Sequence, residues 1–181
     1  FLASLRESPW VGFENFKFLF ASKDAWLITR NTILYNVVFL AFNLFFAIAF
    51  AIIMSELRNR RLVKVYHTMS LLPYFLSWMV INYFVYAFLS PDKGILNQWI
   101  TGNGGTMINW YADPRWWPVI FVFLNVWKSL GYNSIIYYAS VMGIDPTYYE
   151  AAMVDGANKW QQIKNVTIPQ ILPMMSVLLI L

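Results

Sequence analysis

Long apolar runs separated by short polar segments dominate the pattern along the chain. Three runs cover about residues 28–54, 65–89 and 116–141, and a fourth starts near Ile168. Because a helix rises 1.5 Å per residue, about 20 apolar residues cross a hydrocarbon core roughly 30 Å thick. The pattern therefore predicts three membrane-spanning helices and the beginning of a fourth. Since the sequence opens at Phe1 and stops inside an apolar run, we expect it to be a fragment cut at both ends.

Composition narrows the class of protein. Hydrophobic residues make up 59% of the chain and charged residues 12%, whereas an average soluble domain is about 25% charged. A large soluble protein with buried helices is a poorer explanation, because three such runs fall in one short chain. The chain has no cysteine and a single histidine, His67, so thiolate metal sites and His-based nucleophiles are absent from it. The net charge of +4 forms no extended basic stripe, so we predict no nucleic-acid binding.

The charges of the loops predict the orientation of the spans. The 55–64 segment is dense in arginine and lysine, whereas the basic residues of the 90–115 segment are offset by aspartates. Because basic loops stay in the cytoplasm, the first segment should lie inside and the second outside. The 142–167 loop is then cytoplasmic by parity. Residues 1–27 are aromatic but interrupted by charges, and we expect them to form an external segment, followed by a transmembrane domain over 28–181.

The cytoplasmic loop contains start and stop signals for one short helix. Asp145 is a favourable N-cap and Pro146 suits the first helical position, while Gly156 supplies a C-terminal stop. These signals predict a helix over about 147–155. A helix this short is marginal alone in water, where about 12–15 residues are needed. It therefore either packs on its own spans or docks into a partner.

The spacing of residues in this loop resembles that of a known family. Glu150-Ala151-Ala152 is followed by three residues, Gly156, nine residues and Val166-Thr167-Ile168-Pro169. This is similar to the EAA loop of binding-protein-dependent ABC importer permeases, which favours Ile and Leu where Val166 and Ile168 stand. The sugar-uptake branch of that family is similar at three further places: Val11-Gly12-Phe13-Glu14-Asn15-Phe16, Trp127-Lys128 with Gly131-Tyr132-Asn133, and Ile144-Asp145-Pro146.

The resemblance implies a fold and a mechanical role. The fold would be all-α, a polytopic transmembrane bundle holding the second to fourth spans and the start of the fifth in a six-span core. The loop would be a coupling helix seated in a cleft of a separate ATPase subunit. The residues that would carry this contact are Glu150, Ala151, Ala152, Asp155 and Gly156. The chain would hold no catalytic residue, no metal and no cofactor, because the partner subunit binds ATP.

The same resemblance implies a function and a set of partners. We expect a permease subunit of an ATP-driven importer for a sugar or oligosaccharide in the bacterial cytoplasmic membrane. Its partners would be ATP-binding cassette subunits, a second permease subunit forming a heterodimer, an extracytoplasmic solute-binding protein and the lipid bilayer. The alternatives are an importer for another solute, an intramembrane enzyme or a structural assembly protein. An enzyme is disfavoured because the apolar runs contain no carboxylate that could serve as a base or ligand.

Four polar residues within the spans are candidates for the substrate pathway: Lys128, Asn125, Asn82 and Tyr83. A lysine at the centre of a spanning helix costs about 2.5–3.5 kcal/mol on insertion scales, so Lys128 should face the bundle or an aqueous cavity. It either contacts a hydroxylated or acidic sugar or pairs with a carboxylate or backbone carbonyl of a neighbouring span, and we favour the pairing. We expect the asparagines of the spans to make interhelical hydrogen bonds more readily than substrate contacts. Helix packing explains Tyr83 as easily as sugar stacking does.

Overall fold

The computed structural model describes residues 12–14, 16–17 and 23–180. Within these ranges every regular element is a helix. The chain forms two compact units, residues 1–37 and 38–181, each defined by the contacts within it. The helices are α1 (Lys23–Glu56), α2 (Arg60–Phe75), α3 (Trp78–Leu89), α4 (Ile95–Gly102), α5 (Trp117–Met142), α6 (Pro146–Val154), α7 (Lys159–Gln162), a π-helix (Ile163–Thr167) and α8 (Ile168–Ile180).

Several of these helices are long and apolar enough to cross a membrane. By length and composition, the segments Asp24–Glu56, Trp117–Met142 and Lys159–Ile180 each qualify as a span. Helices α2 and α3 qualify together, as one span bent by 99°. The chain is therefore an all-α membrane protein with several spanning segments, and the predicted fold class is confirmed.

The second apolar run differs from the single kinked span expected over 65–89. Helix α2 contains Pro73 and ends at Phe75, Leu76 is extended (φ −72°, ψ 136°), and α3 begins again after Ser77. Pro73 has no amide hydrogen for the preceding turn, and the Ser77 side chain accepts a bond from the amide of Val80 at 3.3 Å. The combination ends one helix and starts another. Proline alone predicted a kink, whereas the observed feature is a full break.

The last helical segment starts earlier than the position near Ile168 that the apolar run indicated. A capping box begins it at Asn158, which accepts from the amide of Gln161 at 2.9 Å, while the Gln161 side chain accepts from the amide of Asn158 at 2.8 Å. The helix then widens into the π-turn over 163–167 before α8. Residues 159–167 mix polar with apolar side chains, so the hydropathy pattern does not indicate that a helix starts there. A helix therefore begins within the predicted 142–167 loop, and the cytoplasmic location of that loop stays a prediction.

Small residues bring α5 close to its neighbours. A Cβ atom on Gly131 would overlap the carbonyl of Ser70 and lie 2.5 Å from the amide nitrogen of Leu71, so the two backbones of α2 and α5 nearly touch there. The side chain of Ser134 is fully buried, and its hydroxyl donates to the carbonyl of Gly131 in the same helix at 3.0 Å. Close approach through small residues is typical of membrane helices. A cluster of α1, α5 and α8 completes this core: Ala47, Ile48, Ala51, Tyr137, Val141 and Ile171.

The segment between α3 and α5 is an ordered structure built around Asn97. This side chain is 3% exposed and donates to the carbonyls of Ile108 at 2.8 Å and Pro91 at 3.1 Å. Its oxygen accepts from the amide of Ile108 and the indole of Trp110, both at 3.2 Å. One amide therefore joins both ends of the segment that the sequence predicted to be an external loop.

Candidate coupling helix and intramembrane polar site

Helix α6 has a defined cap at each end. The Asp145 carboxylate accepts from the amide of Thr147 at 2.9 Å, and this bond lowers the pKa of Asp145 below its ordinary value. The ionised cap therefore supports the helix at neutral pH and is lost as the pH falls through the lowered pKa. At the other end Gly156 has φ +78°, and the amides of Ala157 and Gly156 bond the carbonyls of Ala152 and Met153 at 2.9 and 3.1 Å. This is a Schellman motif, and both predicted end signals are confirmed.

The surface of α6 is largely uncovered. The helix contains no buried residue, and Val154 at its end is 88% exposed. Of the residues expected to contact an ATPase, Glu150, Ala151, Asp155 and Gly156 are exposed and Ala152 is half-buried. Exposed apolar side chains continue this surface, namely those of Tyr148, Met153 and Trp160. The structure thus presents these residues on one accessible segment, and their contact with a partner stays a prediction.

Two polar contacts that the sequence did not indicate tie α6 and α7 to the spans. The hydroxyl of Tyr149 lies 2.9 Å from that of Thr167, a buried residue of the π-turn. Lys159 at the start of α7 forms an ion pair with Glu56 at the end of α1, with 2.9 Å between the charged atoms. The members of each pair are far apart in sequence, so no local signal could have found them.

Lys128 caps the break between α2 and α3. Its ammonium group donates to the carbonyls of Tyr74 at 2.9 Å, Pro73 at 3.4 Å and Leu76. The last carbonyls of a helix have no partner within the helix and carry the negative end of its dipole, so a cation is stabilising there. The ammonium also lies 5.5 Å from the ring centre of Trp78. The pairing of Lys128 with backbone carbonyls is therefore confirmed, and its role in the substrate pathway stays a prediction.

Asn125 takes part in an interhelical network instead of standing alone. The amide of Asn43 on α1 donates to the Asn125 side chain at 2.7 Å, and Ser129 donates to Asn43 at 2.8 Å. The interhelical bond expected of Asn43 is therefore confirmed. The amide of Asn36 donates to the carbonyl of Thr32 in its own helix at 2.8 Å, and an interhelical bond of this residue stays a prediction. Ser129 was not predicted, because a serine in an apolar run carries no signal of its partner.

The other two pathway candidates lie apart from this network. Asn82 and Tyr83 are on α3, after the break, and both are exposed. Neither joins the Asn43–Asn125–Ser129 cluster, and their pathway role stays a prediction. Among the described residues, no group of three or more histidine or acidic side chains is placed to hold a metal ion.

Spanning helices, a broken helix capped by a lysine and an exposed capped helix between two spans describe a helical membrane protein. A comparison with known protein families identifies the family of this chain. Residues 27–181 match the binding-protein-dependent transport system inner membrane component family, and the chain belongs to it.

Two individual relatives are permease proteins of transport systems. The chain is 32% identical over 174 residues to the polygalacturonan/rhamnogalacturonan transport system permease protein YteP of Bacillus subtilis, covering 96% of this chain and 54% of that protein. It is 31% identical over 153 residues to the lactose transport system permease protein LacF of Rhizobium radiobacter, covering 82% and 50%. The chain thus spans about half the length of the relatives it matches.

A solved structure shares the fold. A chain of a bacterial ABC transporter involved in the import of the acidic polysaccharide alginate superposes with a TM-score of 0.89 at 35% identity. The match covers 96% of this chain and 60% of that one. A second structure, of a bacterial alginate ABC transporter in complex with a periplasmic protein bound to an alginate pentasaccharide, gives a TM-score of 0.87 at 34% identity.

Proposed function

We propose that this chain is part of the permease subunit of an ATP-driven importer that moves a sugar or oligosaccharide across the bacterial cytoplasmic membrane. The observation that carries the proposal is the exposed helix α6, capped at both ends and placed between two spanning segments. Its residues Glu150, Ala151, Ala152 and Gly156 have the spacing of an EAA loop. The subunit performs no covalent chemistry and needs no cofactor of its own, because a partner binds and hydrolyses ATP.

The contacts around α6 support a mechanical role. A helix of nine residues docked in a cleft moves with its partner, and Gly156 turns the chain sharply after it. The Tyr149–Thr167 contact connects α6 to the π-turn that precedes α8 in the chain. The Lys159–Glu56 ion pair connects α7 to α1. Closure of an ATPase dimer would therefore displace two spans together with the helix. Glu150 supplies a polar anchor at the contact.

The proposal implies an assembly in the membrane. We propose ATP-binding cassette subunits on the cytoplasmic side, a second permease subunit forming a heterodimer, and a solute-binding protein on the outer side. The periplasmic protein present in the alginate transporter complex supports the last of these. The chain would cross the bilayer several times, with α6 inside and the Asn97-centred segment outside.

The sugar assignment draws on the relatives, among them a lactose permease and polysaccharide importers. Lys128, Asn125, Asn82 and Tyr83 are the residues proposed to line the pathway. Another solute is the second candidate, because the chain is also 27% identical to the osmoprotective compounds uptake permease protein GgtC of Synechocystis. An enzyme or a structural assembly protein would not need the EAA spacing.

Co-purification and uptake together test the proposal. The full-length permease, isolated under mild conditions, should bring down a nucleotide-hydrolysing subunit, and the reconstituted assembly should accumulate a sugar only with ATP and a solute-binding protein. Uptake of an osmolyte but of no sugar would favour the second candidate. Isolation without any nucleotide-hydrolysing partner would contradict the transport role itself.

A further inference from the structure

A cavity with a basic rim lies between α2 and α5. Its volume is about 440 Å³, within the range of roughly 300–1,000 Å³ found for small-molecule sites. The polar side of its lining comes from α2, where Arg60, Lys64 and Thr68 follow one another at intervals of four residues. Residues at this spacing share one face of a helix. The opposite wall includes Tyr138 and Met142 of α5.

The two cations of this rim have no carboxylate partner in the part of the chain that the structure describes. The ion pairs there are Arg115 with Asp113 and Lys159 with Glu56. Glu56 is the acidic residue nearest to Arg60 in sequence, and Lys159 already occupies it. His67 also lines the cavity, but its ring is held between those of Phe50 and Tyr138, with centre distances of 5.8 and 4.8 Å. Arg60 and Lys64 therefore provide positive charge at the cavity that no carboxylate among the described residues offsets.

The cavity lies on the same side of α2 as the site of Lys128. Arg60, His67 and Tyr74 are spaced seven residues apart and so share a face of the helix. The Tyr74 ring stacks on that of Tyr132 of α5 at 4.7 Å and lies 5.9 Å from the Lys128 ammonium. One seam between α2 and α5 thus carries the capped break at one end and the basic cavity at the other. The basic 55–64 segment predicts that the cavity end is cytoplasmic.

We propose that this cavity is a carboxylate subsite on the inner part of the translocation pathway and that the transported sugar is an acidic oligosaccharide. The inference rests on the proposed function and adds a substrate class to it. Arginine binds a carboxylate through two parallel hydrogen bonds, and lysine adds a compact charge. The apolar and aromatic wall of α5 accommodates the faces of sugar rings. A lipid phosphate carries a similar negative charge, and the experiment below distinguishes it from a sugar carboxylate by competition with phosphatidylglycerol.

The test measures binding to the complete permease–ATPase complex without nucleotide and without binding protein. The probes are trigalacturonate and its trimethyl ester, which has the same rings without charge. We expect the wild-type complex to bind the acid more tightly than the ester. The variant Arg60→Gln/Lys64→Gln should lose about fivefold or more of the affinity for the acid, because two partly exposed ion pairs are removed. Its affinity for the ester should not change.

The matched control is Arg58→Gln/Arg61→Gln, which removes the same amount of positive charge from the same segment. Neither Arg58 nor Arg61 lines the cavity. It should retain the affinity for the acid. Equal losses in both variants, or no preference of the wild type for the acid, would overturn the inference. So would a preference that disappears when phosphatidylglycerol is added, since the site would then hold lipid. If the double variant does not assemble, the wild-type complex alone tests the inference. Tighter binding of the acid than of the ester supports the inference, and equal binding overturns it.

Uptake by the wild-type transporter distinguishes this inference from the proposed function. Accumulation of neutral sugars alone would leave the proposed function standing and reject the acidic substrate class. Accumulation of no sugar at all would reject both.

Discussion

At the residue scale, the clearest lesson comes from Lys128. A lysine in an apolar run either contacts substrate or pairs with a neighbouring span. The pairing that we favoured is present, because the Lys128 ammonium donates to the carbonyls of Pro73, Tyr74 and Leu76. Backbone groups inside a bilayer must find partners within the protein, so a broken helix needs a donor at its end. The lysine and the break therefore explain each other, and Lys128 acts first as a positioning residue for the bend.

We predict that Lys128→Met destabilises the bend. The change leaves the carbonyls of Tyr74 and Leu76 without this donor, whereas the carbonyl of Pro73 keeps the amide of Leu76 at 3.2 Å. A buried polar group left unsatisfied costs about 1–3 kcal/mol. Thermal unfolding of the purified complex should show a lower midpoint, with Lys93→Met, at an exposed lysine outside the spans, as the control. An unchanged midpoint would contradict the capping role. Transport that remains normal in this variant would remove Lys128 from the pathway.

Gly131 gives a second prediction at this scale. A methyl group there would overlap the backbone of Ser70, so Gly131→Ala should separate α2 from α5 and destabilise the protein by about 1–3 kcal/mol. Gly143→Ala is the control, because its new Cβ would meet its neighbours at 3.4–3.5 Å. Unfolding midpoints of the two variants check the difference. Equal stability of both would show that the helices do not need this close approach.

At the element scale, the decisive feature of α6 is its termination. Gly156 has φ +78°, a conformation that glycine adopts freely, asparagine tolerates and β-branched residues avoid. The turn it makes determines where the exposed face of α6 ends and where α7 begins. A short helix without a buried side needs this stop to keep a defined surface for a partner.

We predict that Gly156→Val uncouples ATP hydrolysis from transport while the subunit still inserts into the membrane. The strained turn would displace the contact surface without changing the spans. Gly156→Asn should retain most of the coupling, because asparagine accepts the left-handed conformation. The measurement is substrate-stimulated ATPase activity beside uptake in reconstituted vesicles. Normal stimulation in Gly156→Val would count against the coupling role.

The same scale shows what the sequence can predict. The three long apolar runs and the caps Asp145 and Gly156 are local signals, and the structure has helices and caps at these places. The break after Phe75 could be predicted only as a kink, because the Lys128 donor lies more than fifty residues away. The ordering of the outer segment by Asn97 and the Lys159–Glu56 pair also depend on distant partners. Local signals determine helices, whereas contacts between helices determine how they bend and join.

At the scale of the whole molecule, the proposed transport function depends on which side of the membrane each connection occupies. The basic 55–64 segment and the parity of the spans predict that α6 lies inside and Asn97 outside. The bent pair α2–α3 must count as one crossing for this parity to hold, because a pair that turned back would reverse the sides of everything after it. The 99° bend makes this a real question of topology.

Single-cysteine labelling of the full-length protein answers it, and residues 1–181 contain no cysteine that must be replaced beforehand. We predict that an impermeant maleimide labels Asn103→Cys in intact cells and labels Val154→Cys only after the membrane is opened. Both positions are exposed, so a difference in labelling reports the side of the membrane and not burial. Val154→Cys should also react more slowly when the ATPase subunit is present, because the docked partner covers the end of α6. Labelling of Val154→Cys from outside the cell would place α6 beyond the reach of any cytoplasmic motor and end the coupling proposal.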